Sequence, residues 1–371
     1  MKKIVVLGCG MVGSAIAGDL NKEYSVKIID INEKNLKQAS GKHKLETERA
    51  DLSNKSELQN AIKNYDLVIC AVPGFMGFET LKYIIEMKKN VVDISFFKQD
   101  PFTLDALAKE NNVTAIVDCG VAPGLSNLIL GYHNKRMKVT NFECLVGGLP
   151  VNRTWPFEYK APFSPIDVLE EYIRPSRIME NGNIIIRPAL SEAELVDFDS
   201  IGTLEAFNTD GLRTLLDTMD IPTMKEKTLR YPGHIEYIKV LKKCGFFDSK
   251  EIEVNGKKIK PIDLTSKLLL PLWSLEEGED EFTVLKITIE GEENNQPKTY
   301  TYTLIDRYNH EDDVSSMSRT TGYTCTSAAR LLLKDKFHRK GICPPEYLGE
   351  DEDCYLSIIN DLNERGIKFN R

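Results

Sequence analysis

The chain of 371 residues has no CxxC pair, only five histidines, and no apolar run near the ~18 residues that a membrane-spanning helix needs. It also lacks an excess of positive charge: 48 Lys and Arg against 56 Asp and Glu leave a net charge of −8. Each absence excludes something. The eight cysteines, at positions 9, 70, 119, 144, 244, 325, 343 and 354, show neither metal-ligand spacing nor a dense disulfide framework, so reduced thiols in a cytoplasm are expected and a metal site is not. A negative chain has no general attraction for a phosphate backbone or an anionic lipid surface, so neither nucleic acid nor membrane is an expected partner. There is no low-complexity tract and no internal repeat, and 42% apolar with 28% charged residues is a globular balance. At roughly 100–200 residues per domain, two or three compact units are expected.

The N-terminus resembles a leader, since Met1-Lys2-Lys3 precedes IVVLGCG with its lipobox-like VLGC. Cys9 would leave an apolar segment of only five residues, and the pattern runs unbroken to Asp30, so the segment is read as folded structure. From there strand-like and helical stretches alternate: KIVVL (3–7), a helix over 11–22, SVKIID (25–30), a helix over 33–40, DLVICAV (66–72), a helix near 77–88, NVVDIS (90–95), a helix near 103–111 and VTAIVD (113–118). Strands apolar almost throughout and separated by helices predict a doubly wound parallel sheet covered on both faces. After Pro123-Gly124 a helix over 125–136 leads to FECLVGGLP and the aperiodic, aromatic TWPFEYKAPFSP (154–165). FTVLKITIEG (282–291) and KTYTYTLID (298–306) alternate around EENNQP and predict an antiparallel hairpin. The expected architecture is therefore α/β. Residues 1–124 form the nucleotide-binding domain, completed by 325–371, and 125–324 form a second, α+β domain on a mixed, largely antiparallel sheet.

Gly8-Cys9-Gly10-Met11-Val12-Gly13 is GxGxxG between a strand and a helix. Gly8 allows the tight turn, Gly10 lets a pyrophosphate approach the backbone, Gly13 lets the helix pack close, and Met11 and Val12 open that helix. Asp30 ends the second strand about 20 residues on, where a carboxylate binds ribose hydroxyls and repels a 2′-phosphate. That points to NAD rather than NADP, with Lys27 and Lys34 close enough in sequence to argue the other way. Asp51-Leu52, Ala71-Val72-Pro73 and Ser95-Phe96 follow the third, fourth and fifth strands, at the edge where such sheets bind ligands. The first pair is expected beside adenine and the others on the path to nicotinamide.

With AVPGF (71–75), VDIS (92–95), DCGVAPGLSN (118–127), VGGLP (146–150), EAFNTDGLRTLL (205–216), TLRYPGH (228–234) and CPPEYLG (343–349), the chain resembles the saccharopine dehydrogenase and lysine 6-dehydrogenase family. The resemblance implies a Rossmann domain, an inserted substrate domain whose chain returns to the first, a homodimer, and NAD(P)-linked oxidation of an amine on a lysine-like skeleton. It is greatest to the lysine 6-dehydrogenase-like branch. Fungal-type saccharopine reductases carry, shortly after EAF, an Asn-Arg pair whose arginine binds a substrate carboxylate. Here Thr209-Asp210-Gly211 stands instead, and an anionic side chain suits an ammonium better. Fungal-type enzymes also have an acid before the Pro-Gly, where this chain has Ala122.

Oxidising a primary amine needs a hydride acceptor, a base for the proton on nitrogen, and water to hydrolyse the imine. Asp118, at the end of a sheet strand, and His234, with an unperturbed pKa near neutrality, are the two candidate bases, and either is equally a helix cap or loop hydrogen bonder. Arg213 and Arg230 are candidates for the substrate carboxylate, Asp210 for an ammonium, and Tyr159-Lys160 for closing over the small amino-acid substrate. Cys119 lacks a paired histidine and is read as a small core residue, and GEDED (349–353) as a solvated loop rather than a cation site. The expected reaction is oxidation of the ε-amine of L-lysine with ammonia release. Saccharopine oxidation is the competing expectation, polyamine chemistry a third, and an NAD-binding sensor without turnover the reading from another class.

Overall fold

The computed structural model describes residues 1–162, 165–276 and 278–370. The chain begins with β1 (Lys3–Leu7), α1 (Met11–Leu20), β2 (Ser25–Asp30), α2 (Glu33–His43), β3 (Glu46–Arg49), α3 (Lys55–Ile62) and β4 (Leu67–Cys70). It continues through α4 (Gly74–Glu86), β5 (Asn90–Asp93), α5 (Asp105–Glu110), β6 (Thr114–Ile116) and α6 (Leu125–Asn134). Then follow β7 (Lys138–Pro150), α7 (Pro165–Ile173), β8 (Ser176–Glu180), β9 (Asn183–Arg187), β10 (Glu194–Phe198), β11 (Gly202–Asn208), α8 (Leu215–Thr218) and β12 (Thr223–Arg230). The remainder is α9 (His234–Lys243), β13 (Ile252–Val254), β14 (Lys257–Ile259), α10 (Pro261–Trp273), β15 (Glu281–Glu293), β16 (Gln296–Arg307), α11 (Ser316–Leu333), β17 (Gly341–Cys343), α12 (Pro345–Glu350) and α13 (Glu352–Glu364).

Two compact units result. The first comprises 1–139, 291–298 and 317–368, and the second 140–290, 299–316 and 369–371. The first is built on a parallel sheet in the order β17-β6-β5-β4-β1-β2-β3. Its strands are apolar because both faces are covered: Ile4 to Leu7 and Leu67 to Cys70 are all buried. Helices start where side chains supply the missing acceptors, as when Asn32 accepts from the N–H groups of Lys34 and Asn35, and Asn54 from those of Ser56 and Glu57. The short edge strand ETER carries no apolar residue, so only its place just before Asp51, and no apolar run, marks it in the sequence.

By its contacts the first unit runs on to residue 139, takes in 291–298 and resumes at 317, so the helix after Pro123-Gly124 is counted with it. The reason is the packing of α6. A Cβ on Gly131 would lie 2.1 Å from the Glu346 carbonyl oxygen, and one on Gly349 would lie 2.0 Å from that of Leu128, so α6 and α12 meet backbone to backbone. The Asn127 side-chain amide also donates to Glu346 at 3.1 Å. The acidic 349–353 run closes α12 and opens α13, with Asp351 accepting from the Cys354 N–H at 3.0 Å.

The second unit holds a mixed sheet in the order β10-β11-β12-β7-β15-β16, with β8 pairing β12 and β9 pairing β8. β12 and β7 are parallel, whereas β10, β11 and β12 run antiparallel to their neighbours in turn, and so do β8 and β9. β15 and β16 are longer than the alternation suggested and are joined by Asn294-Asn295, both left-handed, the geometry of a two-residue hairpin turn. Leu145, Leu204, Ala206 and Leu229 face one apolar cluster, while Phe207 on the other face joins Tyr159, Tyr172 and Trp273. The fold is thus α/β, a Rossmann-type parallel sheet followed by a mixed sheet.

Candidate active site

The carboxyl ends of β1, β2, β4, β5 and β6 form one edge of the first sheet. Gly8 is left-handed (φ 99°), and a Cβ there would lie 2.3 Å from the Ala71 carbonyl oxygen; one on Gly13 would lie 2.2 Å from that of Gly8. Packing demands those two glycines. Gly10 has no atom within 4 Å of its absent Cβ, so no packing among the described residues explains it, and the space it leaves suits a ligand reaching the backbone. No side chain caps the start of α1, whose N–H groups and dipole favour an anion there. The residues therefore fit a dinucleotide pyrophosphate.

Asp30 folds over the glycine loop: Oδ2 accepts from the Cys9 N–H at 2.6 Å and Oδ1 from the Asn32 N–H at 2.7 Å. Burial and the Asp30 charge push the Cys9 thiol up to about 12. Lys27 is ion-paired with Glu46 and Glu48, while Arg49 stands opposite Asp30 in the register of β2 and β3. Asp51 accepts from both the N–H and the hydroxyl of Ser53, which lowers its pKa, and Leu52 is buried. Val72 is buried, and Pro73 precedes the first turn of α4. Met11 is 44% exposed, and two residues that the sequence reading passed over, Ile31 and Phe75, are 54% and 78% exposed. The signal for them was available, since an apolar residue directly after a strand-ending acid or a glycine turn has no core to enter.

Asp93, also passed over, ends β5. It is fully buried; Oδ1 accepts from the Ser95 N–H at 2.6 Å, and Oδ2 has no hydrogen-bond partner among the described residues. Burial, opposed by the Ser95 hydrogen bonds and reinforced by the Asp118 charge, moves this carboxyl up to about 7. The Cys119 N–H donates to the Asp93 carbonyl at 3.0 Å, which ties the strand end bearing Asp118 to β5. Asp118 is buried and left-handed (φ 53°). Apart from Leu190 and Arg213 it is the one buried residue among the non-glycine residues described with positive φ, the others lying in turns nearer the surface. Cys119 is buried, and burial with Asp118 and Asp93 holds its thiol protonated, which suits a core residue. Ser95 is buried with its hydroxyl 3.6 Å from Cys70 Sγ, and Phe96 is half-buried.

The second unit treats its predicted residues differently. Arg230 is buried: Nη2 donates to Glu171 at 2.8 Å, Nε donates to the Tyr172 hydroxyl at 3.1 Å, and the guanidinium lies 4.3 Å from the Tyr159 ring centre. A guanidinium so engaged by its own chain is not free to act as the expected carboxylate clamp unless it gives up these partners. His234 is likewise buried, with Nδ1 2.8 Å from the Phe157 carbonyl and Nε2 2.9 Å from the Tyr172 hydroxyl. That carbonyl requires the proton on Nδ1, so the hydroxyl donates to Nε2. Burial and then Arg230 lower its pKa to about 3, and both nitrogens are engaged, so this ring is ill-suited to act as a base. Asp210 is held by Arg177, with Nε–Oδ1 at 2.9 Å and Nη2–Oδ2 at 3.1 Å, and the Arg177 N–H adds a third bond; the expected ammonium partner is in fact a guanidinium. Arg213 is buried and left-handed (φ 50°). Tyr159 is buried, and Lys160 pairs with Glu279 at 3.3 Å and the Ser274 carbonyl at 3.1 Å, so both pack rather than project. Phe163 and Ser164 of the aromatic stretch lie outside the described residues.

The profile of the saccharopine dehydrogenase NADP binding domain matches residues 4–116, and that of the saccharopine dehydrogenase C-terminal domain matches 120–367. The chain is 24% identical over 396 residues to a saccharopine dehydrogenase (NADP(+), L-glutamate-forming) of Schizosaccharomyces pombe, covering 86% of each chain. It is 26% identical over 334 residues to an alpha-aminoadipic semialdehyde synthase of Arabidopsis thaliana, covering 84% of this chain but spanning only 30% of that relative. The solved apo saccharopine dehydrogenase (L-Glu forming) of Saccharomyces cerevisiae superposes with a TM-score of 0.79 at 20% identity, covering 100% of this chain and 99% of that one, a likeness of fold. Since the two profiles follow one another in order over nearly the whole sequence, and the first falls on the sheet bearing the glycine cradle, the chain belongs to the saccharopine dehydrogenase family.

Proposed function

We propose that the protein is a nicotinamide-dependent dehydrogenase that oxidises the ε-amine of L-lysine to the semialdehyde with release of ammonia. The carrying observation is Asp93: a buried carboxyl with one unpartnered oxygen and a pKa near 7, on the sheet edge that holds the Gly10 cradle and beside Asp118. An amine must lose a proton before hydride can leave its carbon, and a group poised near the working pH takes it best. Bound NAD or NADP supplies the hydride acceptor. Per turnover the substrate ammonium and one water become aldehyde and ammonium, two electrons pass to the nicotinamide as hydride, and one proton is released, which in this reading the Asp93–Asp118 pair accepts.

NAD is the proposed cofactor because Asp30 ends β2 and Lys27 is neutralised by Glu46 and Glu48. Arg49, opposite Asp30, favours NADP as the second reading, as does the cofactor named for the S. pombe relative. That same name favours saccharopine as the alternative substrate. A cytoplasmic location is proposed from the thiols, since no disulfide joins the eight cysteines, all of which lie among the described residues. No helix among the described residues is long and apolar enough to cross a membrane. A homodimer through the second sheet is proposed from Ile184, Ile186 and Leu195, exposed at 50%, 69% and 66% on β9 and β10.

The test is NADH or NADPH appearance with L-lysine, saccharopine and a polyamine in parallel, with ammonia assayed at the end. Lysine turnover with NAD and equimolar ammonia is expected; turnover of saccharopine alone overturns the lysine assignment, and cofactor binding with no turnover overturns the enzymatic one.

A further inference from the structure

Glu226 lies in β12 between Met224 and Thr228, and alternation along the strand places Glu226, Thr228 and Arg230 on one face. The side chain is 5% exposed. Oε1 accepts from the Thr209 hydroxyl at 3.2 Å, and that hydroxyl lies 2.9 Å from the Thr228 hydroxyl. Oε2 is buried with no hydrogen-bond partner among the described residues. Its position depends on a missing side chain, because a Cβ on Gly211 would lie 0.9 Å from Oε2. Any other residue at 211 evicts this carboxyl, so the glycine and the buried acid are one feature.

Arg230, on the same strand, is committed to Glu171, and Arg177, on the paired strand β8, to Asp210. The acids remain: burial, with Glu171 and Asp210 adding to it, moves the Glu226 carboxyl up to about 8. An acidic surrounding excludes an anion, and a cation arriving at Oε2 takes the place of the proton that the buried carboxyl otherwise holds. A guanidinium needs two coplanar acceptors, whereas a primary ammonium directs three N–H groups from one small atom. Glu226 offers Oε2, and the Thr209 and Thr228 hydroxyls linked to its Oε1 supply further oxygens of that kind. We propose that Glu226, with Thr209 and Thr228, binds a primary ammonium group of an amine substrate, and that Gly211 keeps open the place that the Glu226 carboxyl takes up. The choice of substrate class rests on the amine-oxidation reading above; the geometry of the subsite does not.

The test uses the full chain and two probes, L-lysine and 1,5-diaminopentane, titrated calorimetrically into wild type, E226Q and G211A, each first shown to be folded and to bind NADH as wild type does. We expect wild type to bind both probes and E226Q to weaken both at least tenfold, with G211A, which keeps the acid but displaces it, showing the same loss. In turnover the E226Q effect falls on KM, with kcat within a few-fold. Wild type that binds neither probe, or unchanged binding by folded E226Q, overturns the proposal. Binding that depends on Glu226 without oxidation of lysine upholds this site and removes the dehydrogenase reading, whereas oxidation of lysine with an unchanged KM in E226Q does the reverse.

Discussion

A carboxyl that keeps its proton near neutrality gives both stability and activity a pH dependence that a surface acid does not. Asp93 has a pKa near 3.8 when solvated and about 7 in the fold. Between these values the folded state holds a proton that the unfolded state has lost, so the contribution is fully present below about pH 4 and disappears as pH rises through 7. Asp93→Asn keeps the acceptor for the Ser95 N–H and removes the titration. In urea unfolding it should gain on wild type by about 1–3 kcal/mol between pH 5 and pH 8; parallel curves would show that Asp93 is ionised in the fold. Its kcat should fall ~10²-fold or more if the pair moves the proton. Asp118 was legible in the sequence because a glycine turn advertises the end of a strand. Asp93 was not, since the same VDIS motif reads equally well as a strand ending in an ordinary loop, and only the closure of β5 between β4 and β6 buries its side chain.

The helices of the first unit depend on close backbone approach as much as on apolar faces. α6 and α12 meet through Gly131 and Gly349, with carbonyl oxygens where side chains would be. Gly131→Ala should cost about 1–3 kcal/mol, because the backbone at Glu346 must move to admit one methyl group, and the urea midpoint checks it; an unchanged midpoint would mean that the two helices are not in such contact. A second tie joins α1 to α11 and α13, where the buried Asp19 accepts from Arg330 at 2.9 Å and Arg365 at 3.1 Å. Burial alone would raise the Asp19 pKa, and the two guanidinium groups reverse the shift. The element pattern was visible from apolar runs and caps, whereas the assignment of α6 to the first unit was not, because the contact that decides it is made by residues more than two hundred positions apart.

At the scale of the whole molecule, the chain leaves its first unit after residue 139, re-enters it over 291–298 and again from 317, so both units are assembled from distant stretches. The proposed homodimer rests on the exposed apolar residues of β9 and β10. Ile186→Glu should turn a dimer into a monomer in sedimentation velocity without altering cofactor affinity, and a monomeric wild type would remove the assignment. The sequence by itself determined the parallel sheet, the glycine loop and its acid, and the existence of the hairpin with strands at 282–291 and 298–306, because each depends on residue spacing along one short stretch. Only the tertiary structure decided that Asp210 belongs to Arg177, 33 residues away, that Arg230 belongs to Glu171, 59 residues away, and that Glu226 is left with an open oxygen. Charged residues in one sequence have many partners of opposite sign, and which pairs form is set by which strand and helix faces meet once the apolar surface between them is buried.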